Sequence, residues 1–308
     1  MSVNHRAAVL GSPIDHSLSP VLHNAGYAAA GLRDWEYSRI ECTAAQLPAI
    51  VGRADETFRG FSVTMPAKFA ALEFATEATE RAAAVGSANT LTRIDGGWRA
   101  DNTDCEGIAG ALTALLGDAP ITSALVIGAG GTARPALWAL GERGVNNLTV
   151  LNRSDRSAEV RPLVKDAQLQ FTSFDADVRA LAIDADVIVS TVPAHALKEH
   201  AKLLGHAPVV DVIYDPWPTP LATAAASNGY TSVGGLVMLA EQSFSQFEQF
   251  TGVAAPREAM REALFVPLED RQSIDGDVLT LRVPKSFLGE MHPGWAFQAV
   301  VTGSEGSM

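Results

Sequence analysis

Lys68 stands in the stretch GFSVTMPAKFAALEF (60–74), where residues 61–64 read as the end of a buried strand and Pro66 as the first residue of a helix. Proline's fixed φ suits that position, and its missing N–H is not needed there. Phe69, Leu72 and Ala75 would face a core. A helix N-terminus carries partial positive charge, so a cation in the first turn is mildly unfavourable. Lys68 is therefore either a solvated lysine or a proton donor kept there for use. Asp104 opens the helical pattern DCEGIAGALTALLG (104–117). Its carboxylate is the N-cap of that helix, a partner for a cation, or both. Ser19-Pro20 reads as an N-cap followed by a first-turn proline. Ser17 has no such local role, and two hydroxyls at a helix N-terminus make a cradle for a small carboxylate. His16 and His23 have no carboxylate or cysteine at metal-ligand spacing. Both read as structural histidines, and no metal is expected.

A second cluster sits in ALVIGAGGTARPALWAL (124–140), where a strand runs into G-x-G-x-x-A: Gly128, Gly130 and Ala133. The first glycine permits the tight turn, the second lets a phosphate approach the backbone, and the alanine allows close helix–strand packing. The following helix N-terminus offers free N–H groups to a pyrophosphate. In NAD sites an acidic residue about 20 positions further on meets the ribose hydroxyls. Here the next strand ends in Asn152, Arg153 and Ser154. An arginine with amide and hydroxyl neighbours suits a 2′-phosphate, so the expected cofactor is NADP. Arg156 could close the other side of that site.

The elements that must position these residues follow from periodicity. Apolar runs at 7–11, 61–64, 124–128, 148–152, 186–191 and 209–214 alternate with helical patterns. That alternation marks βαβ units and parallel sheet. One hairpin interrupts it at 89–102, around Asp95-Gly96-Gly97. The expected fold is α/β: an N-terminal α/β domain with mostly parallel sheet, followed by a Rossmann-type dinucleotide domain. The boundary is placed at residue 104, the second domain runs to 235, and helices within 236–268 return to complete the first. Residues 269–308 form an extension in which GDVLTLRVP and GWAFQAVVTG read as two exposed antiparallel strands. A net charge of −12 gives no nucleic-acid footprint. Two cysteines, Cys42 and Cys105, suggest a reducing cytoplasm. No signal peptide and no membrane-length apolar run are visible.

Taken together, GSPIDHSLSPVLHN, VTMPAK, SANT, DNTD, GAGGTAR, NRS, DVIYDPWPTPL and GLVMLAEQ resemble the shikimate dehydrogenase family, in order, over roughly residues 5–266. The resemblance implies NADPH-dependent reduction of 3-dehydroshikimate to shikimate, with the N-terminal α/β domain as the substrate domain, the Rossmann-type domain binding NADP, and a cleft between them. It implies that Lys68 and Asp104 are the catalytic pair and that Ser17 and Ser19 hold the substrate carboxylate. Thr64, Asn89, Asp104 and Gln242 would bind its hydroxyls, with Tyr214 near the ring. Gly128, Ala129, Gly130, Gly131 and Thr132 would bind pyrophosphate, and Asn152, Arg153 and Ser154 the 2′-phosphate. Val212 and Gly235 would line the nicotinamide pocket. The partner is then a small molecule, not nucleic acid or membrane, and the chain a monomer or homodimer. Ser62 departs from a frequent asparagine in the family, which reads as a variant of strand packing. A quinate enzyme using NAD, a metabolite sensor without activity, and an amino-acid or folate dehydrogenase of like architecture are the competing readings.

Overall fold

Along the first strand Ala7 and Val9 face one side, Ala8 and Leu10 the other, and all four are buried. A strand with two apolar faces needs cover on both. The computed structural model, which describes residues 3–164, 167–264, 272–275 and 278–281, supplies it with helices. Two compact units are found, residues 1–266 and residues 267–308. The first unit holds two six-stranded sheets.

Strands β1 (His5–Gly11), β2 (Trp35–Glu41), β3 (Phe58–Val63), β4 (Glu77–Ala78), β5 (Thr90–Ile94) and β6 (Gly97–Asp101) form one sheet in the order β2-β1-β3-β5-β6-β4. Its β1–β2, β1–β3 and β4–β6 pairs are parallel; β3–β5 and β5–β6 are antiparallel. The β5–β6 hairpin turns on Asp95 and Gly96, with Gly96 at φ 81°. Strands β7 (Ser123–Ile127), β8 (Asn147–Leu151), β9 (Gln168–Thr172), β10 (Val187–Ser190), β11 (Val209–Asp211) and β12 (Ser232–Val233) form the other, all parallel, in the order β12-β11-β10-β7-β8-β9. That order reverses direction beside β7, as in doubly wound dinucleotide folds. The second unit contains a two-stranded antiparallel sheet, β13 (Gln272–Asp275) and β14 (Val278–Leu281). β14 lies inside the first strand expected there, and the expected strand at 294–303 falls outside the described residues.

The helices are α1 (Ser19–Ala29), α2 (Leu47–Gly52), α3 (Lys68–Phe74), α4 (Glu80–Val85), α5 (Asp104–Leu116), α6 (Ala133–Glu142), α7 (Ser157–Val160), α8 (Val178–Ile183), α9 (Ala201–Leu204), α10 (Pro220–Ser227), α11 (Gly235–Thr251) and α12 (Arg257–Glu262). In the second sheet Ala124 and Val126 meet α5 and α6, while Leu125 and Ile127 meet α8 and α10. Helix α11 ties the two cores together. Its Met238 joins the core of the second sheet, and its Leu239, Phe244, Phe247 and Phe250 cover the Ala7–Val9 face of the first. Gly60 permits this contact, because a Cβ there would lie 2.0 Å from Cδ1 of Phe250. Gly60→Ala should destabilise the fold by roughly 1–3 kcal/mol through overpacking. A lower denaturant midpoint at unchanged m-value would show it.

Three local expectations are corrected. The N–H of Ala67 bonds to the Thr64 carbonyl, so a turn containing Pro66 precedes α3, and Lys68, not Pro66, opens the helix. Ala67 and Ala71 then take the core-facing positions and Phe69 is 51% exposed. Helix α1 is capped at Leu18, whose carbonyl accepts from Val21 and Leu22, so Ser19 lies inside the first turn and is not the N-cap. Strand β11 ends at Asp211, earlier than the expected 214.

His23 is fully buried and stacked on Tyr37, with ring centroids 4.2 Å apart, and neither ring nitrogen makes a hydrogen bond of good geometry. It is packed rather than satisfied. Burial lowers its pKa from 6.5 to about 3, with the nearby Gln246 side chain opposing the shift. The folded state keeps the ring neutral while the unfolded chain takes up a proton below pH 6.5, so stability falls on acidification. The slope is about 1.4 kcal/mol per pH unit until about pH 3. Asp211, raised by burial from 3.8 to about 6, works in the opposite sense between those two values. The check is therefore a difference: the gap in unfolding free energy between His23→Phe and wild type should widen in favour of the variant as pH falls from 6.5 to 4.5.

Candidate active site

Lys68 Nζ and Asp104 Oδ2 lie 2.6 Å apart, with side chains 12% and 3% exposed. Each opens a helix, α3 and α5. The N-cap of α5 is Thr103, and the Asp104 carboxylate is directed to Lys68 and Asn89 instead of its own helix. Its negative charge at a helix N-terminus is favourable, and it offsets the less favourable placement of Lys68.

Asn89 locks this pair in place. The backbone N–H of Thr103 donates to Asn89 Oδ1 at 2.7 Å, which fixes the amide's orientation. Asn89 Nδ2 then donates to Asp104 Oδ1 at 3.0 Å and to Gln242 Oε1 at 2.7 Å. With its oxygen taken, Gln242 has an NH₂ donor left for the cavity. That cavity, of about 140 Å³, is bordered by Ser17, Ser19, Thr64, Lys68, Asn89, Asp104, Tyr214 and Gln242. All the residues expected to hold the substrate thus meet at one hollow. Ser17 and Ser19 hydroxyls are 3.4 Å apart, and Ser17 Oγ accepts from the Ser19 N–H at 3.4 Å. Tyr214 is raised above its ordinary value by burial, then by Asp215, with Arg39 opposing.

Sequence reasoning missed three residues here. Ser62 is not mere strand packing: it borders the cavity, accepts from the Tyr37 hydroxyl at 2.6 Å and donates to Gln246 Oε1 at 2.8 Å. Gln246 also lines the cavity, one helical turn after Gln242, and that i, i+4 spacing was the available signal. Arg39 bonds the Ser17 carbonyl from β2, and nothing local in the sequence points to it.

The residues expected to bind the dinucleotide lie at the carboxyl ends of three strands of the parallel sheet whose order reverses beside β7. Gly128 follows β7 and bonds the Leu151 carbonyl at the end of β8; Asn152 follows β8; Val212 follows β11. Gly128 has φ 104°, and a Cβ there would lie 2.5 Å from Thr191 Oγ1. Gly130 and Gly131 have nothing within 4 Å of a Cβ position, so the backbone stands open before α6. Thr132 caps α6 without a side-chain bond, and Ala129 is buried. Asn152 Nδ2 donates to the Ser154 carbonyl at 2.8 Å, and Arg153 is exposed with no carboxylate partner among the described residues. Arg156 lies 3.9 Å from Glu159. Gly235 has a different reason: a Cβ would lie 2.2 Å from the Val212 carbonyl oxygen, so the glycine lets α11 start against the end of β11. Open glycines, a free helix N-terminus and an unpaired arginine fit a phosphorylated dinucleotide.

A doubly wound sheet with a glycine turn, in a chain that also carries a lysine–aspartate pair at the wall of a cavity, is the arrangement of a dinucleotide-dependent dehydrogenase. Residues 9–91 match the family model for the shikimate dehydrogenase substrate binding domain, residues 113–206 that for shikimate/quinate 5-dehydrogenase, and residues 235–265 that for the shikimate 5′-dehydrogenase C-terminal domain. Shikimate dehydrogenase (NADP(+)) of Synechococcus sp. (strain JA-3-3Ab) is 36% identical over 272 residues, covering 83% of this chain and 91% of that protein. The crystal structure of a shikimate 5-dehydrogenase from Mycobacterium fortuitum is 51% identical with a TM-score of 0.77, covering 84% of this chain and 97% of that one. That of the Thermus thermophilus enzyme in complex with NADP(H) and shikimate is 30% identical with a TM-score of 0.73, covering 84% and 98%. The chain belongs to the shikimate dehydrogenase family.

Proposed function

We propose that this protein catalyses the reversible, NADPH-dependent reduction of 3-dehydroshikimate to shikimate, with Lys68 and Asp104 as its catalytic pair. The observation that carries the reading is their 2.6 Å contact at the wall of a cavity that also holds the serine pair. Bound NADPH supplies the hydride. Lys68 gives a proton to the carbonyl oxygen of the ketone and takes it back in the reverse direction. Asp104 holds the ammonium and accepts a hydrogen bond from a neighbouring substrate hydroxyl. Ser17 and Ser19 seat the carboxylate, Thr64 and Gln242 bind hydroxyls, Asn89 binds one by exchanging its N–H contact with Gln242 for the ligand, and Tyr214 flanks the ring. Gly128, Ala129, Gly130, Gly131 and Thr132 hold the pyrophosphate, Asn152, Arg153 and Ser154 the 2′-phosphate, and Val212 and Gly235 border the nicotinamide.

In this reading residues 1–104, completed by 236–268, form the substrate domain and residues 105–235 the dinucleotide domain. Residues 269–308 follow as a C-terminal extension to which no role is assigned. The enzyme works in the cytoplasm as a monomer or homodimer. No helix among the described residues is long and apolar enough to cross a membrane. The test is absorbance at the nicotinamide band with purified protein: shikimate and NADP+ should give turnover, and quinate or NAD+ should give much less. Quinate outrunning shikimate would reverse the substrate assignment.

A further inference from the structure

A carboxylate brings negative charge into a cavity whose lysine is already paired, since Lys68 lies 2.6 Å from Asp104. The whole chain, at net charge −12, repels an anion at long range. Ser17 and Ser19 offer neutral hydroxyls, and the start of α1 only a partial charge. A full countercharge stands just behind them. Arg39, on edge strand β2, donates from Nε at 2.9 Å and from Nη2 at 2.5 Å to the single carbonyl oxygen of Ser17. This fork fixes the guanidinium plane and pins the loop that carries Ser17 into α1. Among the described residues no carboxylate pairs with Arg39. Ser17 itself borders the hollow, so the guanidinium bonded to its carbonyl lies one residue behind the cavity wall.

We propose that Arg39 is an electrostatic positioning residue that holds Ser17 in register with Ser19 and supplies the countercharge for the ligand's carboxylate. This rests on reading the serine pair as the carboxylate seat. Arg39 touches neither the reacting atoms nor the Lys68–Asp104 pair, so its effect belongs in binding of the acid and not in the proton-transfer step.

The test compares shikimate with its uncharged methyl ester, as initial rates with NADP+ for wild type, Arg39→Gln and Arg39→Lys. Arg39→Gln should raise KM for shikimate about tenfold, as expected for a nearby charge partly shielded by water. Its kcat should stay within about twofold, and kcat/KM for the ester should be nearly unchanged. Arg39→Lys, which keeps the charge, should retain most of the preference for acid over ester. Added salt should weaken that preference in wild type and leave Arg39→Gln flat. Equal losses on acid and ester would reduce Arg39 to a scaffold contact and overturn the proposal, as would an unchanged KM. Should Arg39→Gln fail to fold, Arg39→Lys and the wild-type salt series decide, and an acid-to-ester ratio indifferent to salt overturns it. A wild type that does not oxidise shikimate brings down the functional reading and this one with it. A wild type that does, beside an Arg39→Gln of normal KM, brings down only this one.

Discussion

Replacing Lys68 with alanine should lower kcat for shikimate oxidation by about 10²–10⁴, with a much smaller change in KM, as loss of a general acid–base group does. The size follows from where the group acts. In the proposed mechanism Lys68 exchanges a proton with the reacting oxygen, so most of its interaction would be made in the transition state. The proposed carboxylate seat at Ser17 and Ser19 and the amide of Gln242 are untouched, so substrate should still bind. Folding must be separated from chemistry, because removing the ammonium leaves Asp104, 3% exposed, without its cation. Breaking a buried pair from one side is costly. Asn89 Nδ2 still donates to Asp104 Oδ1, and α5 still presents its N-terminus, so part of that cost is absorbed. The double variant Lys68→Met with Asp104→Asn removes both charges at nearly constant volume. It should recover stability without recovering kcat. A single Lys68→Ala that loses less than tenfold in kcat returns Lys68 to a structural role.

How far such a site can be read from sequence depends on where its contacts come from. Strands buried on both faces, such as β7 with Ala124 and Val126 against Leu125 and Ile127, announce themselves as apolar runs, and the glycine turn after β7 follows from them. Edge strands do not. β2 and β9, at the edges of their sheets, carry Glu36, Ser38, Arg39 and Gln168, Gln170 among their apolar residues, and neither is visible as a run. The same limit hides part of the site. Lys68, Asp104 and the serine pair stand near helix starts, where residue type and local role can be compared. Ser62 and Gln246 meet across 184 residues, and the Arg39–Ser17 bond crosses from the edge strand to a loop. No local pattern encodes either. Helix starts were misplaced by a residue or two at Pro66 and Ser19 because the caps there are backbone turns and not side-chain bonds.

NADPH should be preferred over NADH, and Arg153→Gln should remove most of that preference by lowering kcat/KM for NADPH about 10–100-fold while leaving NADH nearly unchanged. The range is that of one lost charge-assisted hydrogen bond, about 1.5–3 kcal/mol. A 2′-phosphate carries more negative charge than any group it replaces, and this chain, at −12 overall, has no favourable general field for it. Local cations must hold it. Arg153 is exposed and unpaired among the described residues, whereas Arg156 lies 3.9 Å from Glu159, so Arg153 is the freer of the two. The end of β8 also offers Asn152 in place of an acid, with its amide nitrogen on the Ser154 carbonyl at 2.8 Å, which shapes the short loop around the site. Asn152→Asp tests the same idea from the other side. A carboxylate there should repel the phosphate and accept from ribose hydroxyls, so NADPH should lose and NADH gain. If Arg153→Gln lowers both cofactors by the same factor, the arginine is shaping the loop and the 2′-phosphate is held elsewhere.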